Sequence, residues 1–127
     1  MRNTIKTFRD LIVWQRGHEL VLFTYKLTKN FPKNEQFSLV SQMRRAAISM
    51  TANIAEGFGR TQPKDREHFY VMAFGSLNEL DNHYQVALDL GYIDKAEFDE
   101  AQDLIEQSGK LLNAFLKTHR SLFSSKL

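Results

Sequence analysis

Cysteine is absent from the 127-residue chain, which excludes disulfides and thiolate metal sites and fits a reducing compartment. No stretch approaches the ~18 consecutive apolar residues of a spanning helix. Residues 1–10, MRNTIKTFRD, lack the apolar run of a signal peptide. The expectation is a soluble, cytoplasmic protein with no membrane partner. Hairpin signals are missing as well. There is no Asn-Gly or Asp-Gly pair and no run alternating with period two, which argues against a sheet. Only two prolines and six glycines interrupt the chain, and they mark its joints.

What is present is helical periodicity. Phe98, Ala101, Ile105, Ser108, Leu112, Phe115, His119 and Leu122 recur at alternating three- and four-residue steps. Phe69, Ala73, Ser76, Leu80, His83 and Ala87 do the same, as do Trp14, His18, Val21 and Tyr25. Pro32 ends the first segment, and Gly57, read as a left-handed cap, ends the second. Pro63 opens the third at a first-turn position where its missing N–H costs nothing, and Gly91 closes it. Asp94, with Glu97 three residues on, has the pattern of a capping box opening the fourth. The segments are 11–30, 35–57, 63–90 and 94–120. Short links predict antiparallel neighbours, and the step pattern predicts helices crossing near 20°. The fold class expected is all-α, an up-down-up-down antiparallel four-helix bundle forming one domain over residues 1–127. Trp14, Val21, Ile54, Phe69, Leu80, Ile105, Leu112 and Phe115 are its expected interior.

The second segment, containing RRAAISMTANIAEGFGR at 44–60, has a different pattern. On a wheel of about 100° per residue, Ser38, Gln42, Arg45, Ser49, Asn53 and Glu56 fill a polar strip about 80° wide. Most of the rest is apolar. Met43, Ala47, Met50 and Ile54 form one arc, expected to face the bundle's own core. Phe37, Ile48, Ala52 and Ala55 form another, with Arg44 and Thr51 between the two. A surface helix needs an apolar stripe of only ≳100°. This one should be covered twice, either by a neighbouring subunit at Phe37, Ile48, Ala52 and Ala55 or by its own protomer on both sides. Arg44 inside the apolar arc needs a carboxylate, with Glu79 and Glu19 the candidates for a structural ion pair.

Five stretches together resemble one family: FRDLIVW at 8–14, FPKNEQFSL at 31–39, QMRRAAISMTANIAEGFGR at 42–60, FYVMAFGSLNEL at 69–80 and LGYI at 90–93. In order and coverage they are similar to the 23S rRNA intervening-sequence proteins. The resemblance implies four-helix protomers assembled as a homopentameric ring. It also implies kinship with the accessory protein of diversity-generating retroelements, which works with a reverse transcriptase and RNA.

Catalytic patterns find little support. A di-iron bundle needs Glu-x-x-His on two helices, and the nearest match is Asp65-x-x-His68. EGFGRT lacks the Gly-Lys-Ser/Thr end and preceding strand of a phosphate loop, although the start of the third helix near Thr61–Lys64 is a candidate anion site. His18 and His119 lie on apolar stripes, where satisfied interior histidines are commoner than ligands. Glu97, Asp99, Glu100, Asp103 and Glu106 alternate with apolar positions and read as a solvent face. No catalytic residue, metal or cofactor is assigned.

Charge is polarised along the chain. Residues 1–75 carry 12 Lys/Arg against 6 Asp/Glu, residues 76–106 carry 1 against 9, and residues 107–127 carry 4 against none. Arg45, Arg60, Lys64 and Arg66 are the candidate nucleic-acid contacts, taken as one cluster around a helix–helix turn. The expectation is a non-enzymatic homo-oligomer associated with RNA, DNA or a nucleic-acid enzyme such as a reverse transcriptase. A protein–protein scaffold is the alternative, with a small-molecule or metal-binding enzyme more remote.

Overall fold

The computed structural model describes residues 4–123. Four helices dominate: α1 (Ile12–Thr28), α2 (Leu39–Phe58), α3 (Pro63–Asp89) and α4 (Lys95–Phe123). Single 3-10 turns at Phe8–Asp10 and Lys33–Glu35 precede α1 and α2, and no strand occurs among the described residues. Each helix packs on its neighbours in the chain, and α1 also packs on α4, which closes a ring of four. Contacts advance in opposite senses along each adjacent pair. Gly57 meets Tyr70 near the α2–α3 link, while Ser49 meets Ser76 farther along. On α3 and α4, Tyr70 meets Phe115 and Asp81 meets Gln102. The bundle is therefore up-down-up-down.

Local chemistry sets the ends of the helices. Pro63 occupies the first turn of α3. Gly91 closes the same helix at φ 77°, the only positive φ among the described residues. Around it, Tyr92 N–H reaches Ala87 O at 2.9 Å and Gly91 N–H reaches Leu88 O at 3.0 Å, which satisfies the last carbonyls of α3. The box opening α4 is reciprocal: Glu97 N–H donates to Asp94 Oδ1 at 2.8 Å and Asp94 N–H to Glu97 Oε1 at 2.9 Å.

The sequence reading needs three corrections here. α2 begins at Leu39 rather than at 35, because Lys33–Glu35 forms a 3-10 turn and Glu35 bonds the Ser38 hydroxyl beyond it. Phe37 therefore belongs to the turn and not to the helix. Gly57 is no left-handed cap; it lies inside α2 with negative φ. Its bare Cα admits the Tyr70 ring, and a Cβ there would stand 2.6 Å from Tyr70 Cε1. Finally, α3 is rotated relative to the expected stripe. Ala73, Leu80 and Ala87 face the core, but their companions are Tyr70, Leu77 and Tyr84 rather than Phe69, Ser76 and His83. Ser76 sits instead at the α2–α3 seam, 2.8 Å from Ser49 Oγ.

The core is the row of buried side chains lining all four helices, with Leu20, Met43, Met50, Ile54, Tyr70, Tyr84, Leu80 and Leu112 fully enclosed. Of the expected interior, Val21, Ile54, Leu80, Ile105 and Leu112 are buried, while Trp14, Phe69 and Phe115 are half-buried. Glycine also permits close contact between α1 and α2, where a Cβ on Gly17 would meet Met50 Cε at 2.8 Å. One polar link spans the core: Thr24 Oγ1 on α1 and Tyr84 Oη on the diagonal helix α3 lie 2.7 Å apart. Burial pushes the Tyr84 hydroxyl well above the usual phenol range, so it stays neutral.

Candidate interaction surfaces

The first surface is a cleft of about 460 Å³ outside the α1–α2 pair. Met43, Ala47, Met50 and Ile54 turn into the bundle, as their arc requires. Among the described residues the second arc of α2 is left largely uncovered. Ile48 is 43% exposed and Phe37 94% exposed, and both line the cleft. Ala52 is exposed and Ala55 half-buried farther along the same face.

Arg44 lies on the wall of this cleft, and the expected Arg44–Glu79 ion pair is not formed. Its Nε donates to Thr28 Oγ1 at 2.9 Å, and its guanidinium lies 4.4 Å from the Tyr25 ring centroid. Thr28 in turn donates to Thr24 O at 2.7 Å. Glu79 instead stands 3.0 Å from His83 Nε2, and Glu19, the other candidate, pairs with Arg16. Arg44 is only half-buried, and guanidinium is weakly hydrated and stacks well on aromatic faces. A hydroxyl and a ring therefore suffice where a carboxylate was expected. Tyr25 and Thr28 are the partners that sequence reasoning missed; an aromatic and a hydroxyl three residues apart on α1 were the available signal.

The second surface is the α2–α3 turn. Here the structure separates the expected basic cluster. Arg66 is a capping residue: its Nη2 donates to Phe58 O at 3.0 Å and its Nε to Arg60 O at 2.6 Å, serving the C-terminal end of α2. Arg60 pairs with Glu56 at 2.9 Å and Asp65 at 3.7 Å, and its guanidinium lies over Phe69. Lys64 is exposed in the first turn of α3. Arg45 lies roughly 20 Å away along α2, fifteen residues at 1.5 Å each, near the first cleft. The four residues do not form one patch.

The third surface is an acidic cleft of about 520 Å³ outside the α3–α4 pair, lined by Asp81, Asp99, Gln102, Asp103 and Glu106 over Ile105. Gln102 Nε2 donates to Asp81 Oδ1 at 2.7 Å. Elsewhere the histidines are accounted for by neighbours. His119 is buried, donates Nε2–H to Pro63 O at 2.8 Å and meets Tyr70 edge-on. His18 stacks on Trp14 at 4.7 Å between centroids. Among the described residues no group of three His, Asp or Glu side chains is placed to hold a metal ion.

A family model for the 23S rRNA-intervening sequence protein matches residues 9–114. The chain belongs to that family. The matched span runs from the 3-10 turn before α1 to the last third of α4, so it includes all three surfaces. A crystal structure of a protein of unknown function from the S23 ribosomal protein family of Bacteroides thetaiotaomicron VPI-5482 aligns with a TM-score of 0.75. It is 21% identical and the alignment covers 84% of this chain and 99% of that one, a likeness of fold. No curated protein matches the chain. No helix among the described residues is long and apolar enough to cross a membrane.

Proposed function

We propose that this family member is a non-enzymatic helical-bundle adaptor that assembles from identical copies through the outward arc of α2. The observation carrying this is Phe37, an aromatic side chain 94% exposed at the rim of a cleft that also holds Ile48. Large apolar side chains grouped at a cleft mark interaction surfaces more often than solvated ones. Ala52 and Ala55 extend the same face with small side chains that allow close helix approach. A closed ring uses one such contact repeatedly, and the family resemblance favours five copies. Light scattering coupled to size exclusion at micromolar concentration tests this directly: a multiple of the protomer mass supports it, and a monomer ends it.

A second reading assigns the assembled protein to a nucleic acid, with a nucleic-acid enzyme such as a reverse transcriptase as its protein partner. Lys64 favours it, being exposed where the first turn of α3 offers free N–H groups. Repetition around an oligomer would let weak phosphate contacts add. Arg60 and Arg66 have structural duties, so Arg45→Gln and Lys64→Gln are the informative changes. Binding that falls steeply with salt, with a shallower slope in the double variant, supports this reading. No binding to RNA or DNA at low salt by the intact oligomer removes it and leaves the scaffold.

A further inference from the structure

The two clefts at the α1–α2 and α3–α4 edges are matched in charge and in height. Arg44 and Arg45 line the first; Asp81 and Asp103 line the second. None of the ion pairs formed among the described residues includes any of these four. Arg45 has only a long 3.4 Å contact to Gln42, and Asp81 and Asp103 accept only from the neutral amides of Gln102 and Gln107. The other acids of the second cleft differ, since Asp99 has Lys95 and Glu106 has Lys110. Among the described residues, two cations at one cleft thus have no carboxylate partner and two carboxylates at the other have no cation.

Topology places these faces on different sides of the bundle, because the α1–α2 and α3–α4 edges share no helix. It also sets them at one height. Tyr25 is near the end of α1, Phe37 to Ile48 span the turn and first half of α2, Asp81 is in the last third of α3, and Asp99 to Glu106 lie in the first half of α4. All belong to the end of the bundle where α1 and α3 finish and α2 and α4 begin. Two copies standing side by side with parallel axes bring the basic cleft of one level with the acidic cleft of the next. Ile105, largely buried, is the apolar side chain on the floor of the acidic cleft.

We propose that the surface receiving the α2 face is the acidic α3–α4 cleft of a second copy, with Arg44 and Arg45 meeting Asp81 and Asp103 and Phe37 seated over Ile105. This deepens the self-association reading and rests on it. Such a contact is head-to-tail: each copy gives one face and receives on the other. Charges of opposite sign fix the register, and like charges reject the face-to-same-face alternative.

The absence of native cysteine permits a clean test. Full-length Arg45→Cys and Asp103→Cys chains are prepared separately, mixed, and treated with a short bis-maleimide. The head-to-tail contact predicts covalent dimers in the mixture and none from either variant alone, because position 45 never faces position 45. Arg45→Asp and Asp103→Arg should each weaken association by roughly 30-fold or more, and the double reversal should restore most of it. Dimers from Arg45→Cys alone would overturn the pairing. So would an intact oligomer that yields no mixed cross-link and ignores both reversals, although self-association would then stand. A wild-type monomer would end the underlying reading as well.

Discussion

Gly57 and Gly75 are both helical and differ only in what surrounds them. At Gly57 a Cβ would lie 2.6 and 2.9 Å from two carbons of the Tyr70 ring and 3.0 Å from Phe69 Cβ. Tyr70 is 1% exposed, so its ring has nowhere to go. Overpacking of this kind costs about 1–3 kcal/mol, against a helix-propensity gain of about 1 kcal/mol for glycine to alanine. Gly57→Ala should therefore destabilise the bundle, by up to about 2 kcal/mol. A Cβ on Gly75 would meet no other part of the protein within 4 Å, so Gly75→Ala should stabilise by about 0.5–1 kcal/mol. Urea midpoints with unchanged slopes would show the two effects with opposite signs. Gly57 stabilised by alanine would mean that α2 and α3 are farther apart than described.

The start of α2 is coupled to the α3–α4 connection through Glu35. Its carboxylate accepts from the Ser38 hydroxyl and from Tyr92 Oη at 2.7 Å, and its pKa lies below the ordinary 4.5 for those reasons, Ser38 first. The same bond pushes the Tyr92 hydroxyl upward. A group whose folded pKa is depressed adds stability above its unfolded pKa and loses it as pH falls through the folded one. Glu35→Gln should therefore be less stable than wild type at pH 7, with the gap closing below about pH 4. Denaturant midpoints at pH 7 and pH 3 would show it; a gap independent of pH would assign the effect to lost packing. Asp10, held low chiefly by the N–H groups of Thr7 and Lys6, gives the turn before α1 the same acid sensitivity. At the start of α4, Asp94→Ala removes one side of the reciprocal box and should cost about 1 kcal/mol.

For the molecule as a whole, Ile48 is where the proposed assembly can be tested apart from folding. It is 43% exposed in the single chain, so an aspartate there meets water in the protomer and would become an unpaired, desolvated charge in the proposed assembly. Ile48→Asp should lower the mass seen by light scattering while circular dichroism keeps its helical signal. Helix content lost in step with mass would place Ile48 in the protomer core. Met50, fully buried on the opposite arc, provides the contrast: Met50→Ala should cost about 2–5 kcal/mol of protomer stability.

Helix number and order, and the ends of α3 with the start of α4, were legible in the chain because they depend on local chemistry: periodic apolar residues, Pro63, Gly91 and the Asp94–Glu97 pair act within a turn or two of themselves, whereas both ends of α2 were misplaced. The two-arc character of α2 was legible for the same reason. Tertiary structure alone decided which side of a stripe is the centre, since Tyr70, Leu77 and Tyr84 displaced Phe69, Ser76 and His83 by the rotation that lets α3 meet α2 and α4 together. It decided that Gly57 makes room for a ring instead of turning the chain. It also decided the fate of the arginines. A guanidinium takes whatever carbonyl, carboxylate, hydroxyl or ring lies within reach, and that depends on neighbours distant in sequence. Arg66 became a cap, Arg44 a stacked hydroxyl partner, and Arg45 was left at a cleft without a carboxylate.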